Sequence, residues 1–253
     1  MRFKRHAVFA AVALLCCGAP ALAQSITPEQ RGEFEKIIRE YLLKNPEVLQ
    51  EAISELEKRQ AIAEVEKHKA AVKEHAQALF NSSRHVVVGN PKGDVNFVEF
   101  FDYNCGYCKR AMADMMALMK ADPNLRVVLK EFPVLGEGSR DAARVAVAVR
   151  MQDKTGKKYL EFHQKLMGGR GQADKARALA AAREAGLDVV RIERDLNSDE
   201  VRQSLEESFR LAEALGLNGT PSYVIGGEVA VGAIGESALR EKINIARCGK
   251  PAC

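Results

Sequence analysis

Two cysteines three positions apart, in the string Cys105-Gly106-Tyr107-Cys108, constrain this chain more than any other feature. The apolar run Val95-Asn96-Phe97-Val98-Glu99-Phe100-Phe101 leads into them. A helix-like stretch rich in Ala, Met and Leu, from Lys109 to Lys120, leads away. The run is nearly continuous in apolar residues, as a buried central strand would be. Strand, short turn with two cysteines, then helix is the order that makes a thiol redox centre. The helix N-terminus offers unpaired N–H groups and a positive dipole end, and both stabilise a thiolate in the first turn. Two cysteines at this spacing can close a small disulfide and reopen it. Half of a zinc site and an inert disulfide staple are the competing readings. Zinc usually takes four N or S ligands, and the remaining pair, Cys248 and Cys253, is spaced more loosely at the C-terminal end.

At 253 residues the chain has room for one large domain, or one domain with an extension. Arg2, Lys4 and Arg5 form a basic start, Ala7 to Cys17 is apolar, and Ala21-Leu22-Ala23 is a small-x-small cleavage site. Residues 1–23 therefore read as a secretory signal peptide, too short in its apolar part to span a bilayer. The formal net charge is +4, and the leader carries three positives and no acid, which leaves 4 − 3 = +1 for the mature chain. Nothing in that balance favours nucleic acid as a partner. Two of the six cysteines, Cys16 and Cys17, leave with the leader. An even set of four in an exported protein is consistent with disulfides, and the location expected is the periplasm.

Residues 24–82 read as a helical arm. Thr27-Pro28-Glu29-Gln30 is a capping box with proline at the first helical position. Phe34, Ile37, Ile38, Tyr41 and Leu42 recur at helical spacing, and Asn45-Pro46-Glu47 ends one helix and starts the next. Val48, Leu49, Ala52, Ile53 and Leu56 extend the stripe, and the stretch to Gln77 is rich in Ala, Glu and Lys. Such an arm lacks the apolar residues to bury itself as a domain. It either folds back on its own domain or packs against copies of itself through residues 27–80. The second reading is preferred, with a trimer favoured over a dimer.

Residues 83–253 follow a β-α-β, helical insert, β-β-α order. Strands are expected at His85-Val86-Val87-Val88, at Val95 to Phe101 and at Leu125 to Glu131. The last two flank the CxxC helix and should pair in parallel. The insert, about 138–216, shows helical patterns at 139–151, 155–167, 173–185, 188–195 and 199–215. A hairpin turning at Gly226-Gly227 and a final helix close the chain. Thr220-Pro221 opens the strand after the insert, where a cis peptide would be functional.

On these residues the chain resembles the thioredoxin-fold thiol–disulfide oxidoreductases of the DsbA/DsbC type. The resemblance covers about residues 84–247. It rests on Glu99-Phe100-Phe101-Asp102-Tyr103-Asn104-Cys105-Gly106-Tyr107-Cys108, on the all-helical insert and on Thr220-Pro221. With the arm added, the chain is most similar to the suppressor-of-copper-sensitivity protein C subgroup, whose members include oligomeric isomerases. The fold implied is α/β: a thioredoxin fold with an all-helical insert, preceded by an extended N-terminal helical arm.

The resemblance implies roles. Cys105 is the exposed nucleophile, and the helix end can lower its pKa from about 8.5 to roughly 3.5–7. Cys108 is buried and resolves the mixed disulfide. Gly106 and Tyr107 set the redox poise, and the Gly-Tyr pair departs from both the Gly-Pro of thioredoxins and the Pro-His of the strong oxidants. Pro221 is the cis-proline facing Cys105, and Thr220 presents backbone groups to a bound peptide. Glu99 is a buried acid able to relay a proton to Cys108, with Lys130 as its possible partner. Phe100, Phe101 and the methionines Met112, Met115, Met116 and Met119 read as core. Cys248 and Cys253 are either a local disulfide or a second redox pair.

The function expected is that of a periplasmic protein disulfide isomerase with no cofactor. Its partners would be exported proteins with cysteines and a membrane thiol–disulfide electron donor. A dithiol oxidase is the first alternative. A Cu(I)-binding copper-tolerance protein, holding the metal on Cys105 and Cys108, is the second.

Overall fold

A computed structural model of the chain describes residues 27–253, so the signal-peptide reading of residues 1–23 lies outside the described residues. Two compact units divide between Glu57 and Lys58. The first holds α1 (Pro28–Lys44) and the start of α2 (Glu47–Glu74). The expected capping box is in place: the Thr27 hydroxyl accepts the Gln30 N–H, and the Gln30 side chain accepts the Thr27 N–H. Asn45 ends α1 by donating its N–H to the Tyr41 carbonyl. Phe34, Ile37, Ile38, Tyr41, Ile53 and Leu56 are each about half exposed or more, between 50 and 60%.

The second unit begins partway along α2. That helix stays exposed until Val72 enters the core, and α3 (Ala76–Phe80) buries Leu79 beside it. Five strands follow in the chain: β1 (Val86–Gly89), β2 (Val95–Phe101), β3 (Leu125–Glu131), β4 (Ser222–Ile225) and β5 (Glu228–Val231). They make one sheet in the order β1-β3-β2-β4-β5. β2 and β3 are parallel, as their connection through α4 (Gly106–Ala121) requires, and the other pairs are antiparallel. The helical insert consists of α5 (Glu137–Gln152), α6 (Lys157–Gly168), α7 (Lys175–Glu184), α8 (Val189–Asp195) and α9 (Asp199–Ala214), each within two residues of the expected bounds. The closing helix is α10 (Glu236–Cys248), and Cys248 is joined to Cys253 in a disulfide.

Side-chain alternation divides the core. On β2 the residues Val95, Phe97 and Phe101 face a large cluster that contains Cys108, Met115 and Leu118 of α4, residues of the insert, and Leu239 and Ile243 of α10. Val98 and Phe100 face the opposite side, against Val72, Leu79 and Leu211. Both faces of β2 are thus covered, which explains its unbroken apolar run. Phe100 and Phe101 are core residues on opposite faces, and Met112, Met116 and Met119 pack against the larger cluster.

The same alternation overturns the pairing of Lys130 with Glu99. Across the parallel ladder Glu99 is level with Leu129 and Phe100 with Lys130. Glu99 therefore shares the face of Phe97 and Phe101, whereas Lys130 shares the face of Phe100. The Lys130 ammonium instead donates to the Ala78 carbonyl at 2.7 Å and pairs with Glu207 of α9 at 3.0 Å. Lys130→Met should destabilise the protein by about 2–3 kcal/mol, because it strands a carbonyl and a carboxylate in the core while Arg84 stays near Glu207. Lys130→Met with Glu207→Leu should recover most of that loss in urea unfolding, and a double variant as unstable as the single one would contradict the assignment.

Candidate active site

Strand β2 ends at Phe101, and four residues later the chain turns into α4 with Cys105 as N-cap. An N-cap side chain normally accepts a first-turn N–H through oxygen. Here the acceptor is sulfur: Cys105 Sγ takes the Cys108 N–H at 3.4 Å. The same Sγ–H donates to the Thr220 carbonyl at 3.2 Å. The Thr220–Pro221 peptide is cis. The Sγ contact thus places Thr220 against Cys105, with Pro221 next in the chain across the cis bond.

Both site cysteines are free thiols. Cys108 is 1% exposed, one turn into α4. Cys105 is 5% exposed, so the expectation of an openly exposed nucleophile needs correction. The Thr220 carbonyl lies against its sulfur, and approach is left past Gly106 and Tyr107, both exposed. Among the described residues, nothing beyond its chain neighbours and its own helix lies within 4 Å of where a side chain on Gly106 would start. Tyr107 is 60% exposed and its ring carries the Arg110 guanidinium at 4.4 Å, a cation–π contact at the rim of the site.

Burial pushes the Cys108 thiol well up from its ordinary range, and the charges of Glu99 and Cys105 add to the effect. Glu99 is fully enclosed, and burial first, then the Asp114 carboxylate, raises it to about 8. It lies opposite Tyr223 on the antiparallel β2–β4 pair, and the Tyr223 hydroxyl is buried without a hydrogen-bond partner among the described residues. Glu99 and Cys108 are thus two buried acids that each hold a proton at neutral pH, and negative charge on Glu99 pushes the thiol further up.

Sequence reasoning did not single out the residues that brace the turn. The Asp102 carboxylate accepts the N–H groups of Asn104 (2.8 Å), Val134 (2.8 Å) and Leu135 (2.9 Å). Behind it, Tyr159 donates to Glu131, the Tyr103 and Tyr159 hydroxyls share a bond of 3.4 Å, and Tyr103 shares one with His163 Nδ1 at 3.2 Å. Burial raises Glu131 to about 8 and lowers His163 to about 3, so this chain of groups is uncharged at neutral pH. Only adjacency to Cys105 marked Asp102 and Tyr103, and nothing local marked Tyr159 or His163.

Glu99 and Glu131 make stability depend on pH. Both have an ordinary value of 4.5 and a folded value of about 8. Between those values the native chain holds protons that the unfolded chain has released, so stability is full below pH 4.5 and falls as pH rises through 8. Glu99→Gln should flatten this decline and gain on the wild type at pH 8 relative to pH 5. Denaturation of the reduced proteins at both pH values checks it, and an equal difference at the two would mean that Glu99 ionises normally.

A family profile described as DSBA-like thioredoxin domain matches residues 97–244, and one described as copper resistance protein ScsC N-terminal domain matches residues 30–63. A thioredoxin-like oxidoreductase from Silicibacter pomeroyi is 47% identical, with a TM-score of 0.64 over 68% of this chain and 96% of that one. A linker-deletion mutant of ScsC from Proteus mirabilis is 26% identical, with a TM-score of 0.66 over 90% of this chain and 100% of that one. Among curated proteins, the Na(+)/H(+) antiporter NhaA 1 of Salinispora arenicola is 26% identical over 168 residues, which is 66% of this chain and 25% of that protein. The chain thus spans about a quarter of the length of the first curated relatives it matches. The profile match runs over more than half of the chain, from the strand before the dithiol through the cis-proline, and the chain belongs to the DsbA-like thioredoxin domain family.

Proposed function

We propose that this chain is a periplasmic thiol–disulfide oxidoreductase that works as an oligomeric protein disulfide isomerase. The observation that carries the reading is the Cys105 sulfur, capped by the Cys108 N–H and touching the carbonyl of the cis Thr220–Pro221 unit. Loss of the Cys105 proton frees the Thr220 carbonyl to accept a backbone N–H from a substrate peptide. The thiolate then attacks one sulfur of a substrate disulfide. A Cys105–substrate bond forms, and the other substrate sulfur leaves as a thiolate.

Two exits follow. A different thiolate of the same substrate can attack the bound substrate sulfur, which returns Cys105 as thiolate and leaves a new pairing with no net redox change. Alternatively Cys108 attacks Cys105, which releases a reduced substrate and leaves the Cys105–Cys108 disulfide. Glu99 supports the second exit in its ionised form, populated as pH rises toward about 8, in which its carboxylate can accept the Cys108 proton. Burial that holds the Cys108 proton slows the second exit, which supports reshuffling as long as a membrane electron donor keeps the pair reduced.

Self-association is supported by the apolar residues of α1 and early α2, exposed in the single chain, and by the ScsC-type profile match over residues 30–63. The trimer is the preferred assembly, and residues 1–23 carry the export reading. A second reading, Cu(I) held by Cys105 and Cys108, draws on the copper-resistance description of that same profile and on the softness of two thiolates.

Removal of residues 24–57 tests the arm, since the compact unit starts at Lys58 and a cut at residue 80 would take Val72 and Leu79 out of the core. The truncated protein should be monomeric in light scattering. It should reduce a small disulfide within about twofold of full length, yet lose about tenfold in refolding scrambled ribonuclease. Undiminished refolding activity in a monomer would sink the oligomeric isomerase. Copper titration of the reduced protein and of Cys105→Ser separates the second reading, which requires stoichiometric binding that the substitution abolishes.

A further inference from the structure

One side chain fastens the turn before Cys105 to the helical insert. Asn104 uses both ends of its amide. Its Nδ2 donates to the Ala173 carbonyl at 2.8 Å and to the Ser139 hydroxyl at 3.0 Å, and its Oδ1 accepts the Ala173 N–H at 2.7 Å. Ala173 and Ser139 are each 1% exposed. The exchange with Ala173 repeats, through a side chain, the two-way bond of a hydrogen-bonded pair in an antiparallel ladder. Neither end of the amide is bonded to a cysteine sulfur.

A second tie reaches the same segment. Lys109, four residues after Cys105 and so on the same side of α4, extends its ammonium to the carbonyls of Gly169 (3.3 Å) and Gly171 (3.5 Å). Residues 168–173, Gly-Gly-Arg-Gly-Gln-Ala, are thereby held beside the first turn of α4. Gly168, Arg170, Gly171 and Gln172 are exposed. The space beside Gly168 is open, while the Arg177 guanidinium lies over Gly169 and Gly171, so the segment offers a cationic group together with exposed backbone. The Tyr107 ring with its stacked Arg110 is exposed on that same first turn.

We propose that Asn104 is a positioning residue for disulfide exchange on protein substrates: it holds the 168–173 segment in place as a substrate-binding wall, additional to Thr220 and Pro221. The proposal rests on Cys105 and Cys108 exchanging disulfides. A polypeptide flanking the substrate cysteine lies along this wall, whereas a small disulfide reaches Cys105 without touching it. Loss of the Asn104 amide therefore weakens binding of large substrates and leaves the sulfur's own reactivity alone. A brace that served only the fold would affect both substrates alike.

The test compares full-length wild type with Asn104→Ala on glutathione disulfide and on scrambled ribonuclease. KM for ribonuclease should rise about tenfold, with kcat and the glutathione rate within about twofold of wild type. The pH profile of Cys105 alkylation should be unchanged, and amides 169–173 should exchange hydrogen faster. Ser139→Ala removes one bond of three and should shift KM in the same direction by a smaller factor, which keeps the test open if Asn104→Ala does not fold. Equal losses on both substrates, a shifted alkylation profile, or an unchanged KM in both variants would overturn the proposal. A wild type inactive on both substrates would instead sink the exchange reading, and the positioning role with it.

Discussion

The first N–H groups of a helix have no carbonyl partner within the helix, and in this chain a sulfur meets one of them. Cys105 caps α4 through Sγ, so the group that would carry negative charge in exchange sits where the helix best tolerates it. Much else in the second unit serves that placement. β2 lies in the middle of the sheet and aims the helix start. Asp102 gathers three N–H groups to shape the turn, and the cis Thr220–Pro221 unit brings a bare carbonyl onto the sulfur.

The two sulfurs of the pair differ because their surroundings differ. Cys105 borders the exposed Gly106 and Tyr107, whereas Cys108 is enclosed on the large core face with Glu99 nearby. In a low-dielectric interior both Glu99 and Cys108 hold their protons at neutral pH. Sheet alternation settles which groups can join this arrangement. Lys130 is one residue past the level of Glu99 on the neighbouring strand, and that single step sends it to the opposite face, to Glu207.

The arm has a different physical character. Its amphipathic stripe stays at the surface through α1 and early α2, and apolar area left in water is a standing incentive for association. The point where the chain joins the compact unit lies inside α2, with no proline or glycine to mark it. The division between Glu57 and Lys58 falls within that continuous helix, where composition offers no punctuation.

Local chemistry determined a large part of this protein. The CxxC between an apolar run and a helix, the capping box at Thr27, the punctuation by Gly and Pro, and the alternating apolar periods are all short-range signals. They located the strands and helices of the described residues and the dithiol with its cis-proline. Tertiary structure decided what depends on residues far apart in the chain. It covered Cys105 with Thr220, 115 positions away, gave Lys130 to Glu207, and brought Asn104 to Ser139 and Ala173. Burial also decided that Glu99, Glu131 and His163 are uncharged at neutral pH. The reason is physical: backbone conformation answers to neighbours within a few residues, whereas solvent exclusion and side-chain pairing exist only once the sheet and the insert have closed around the site.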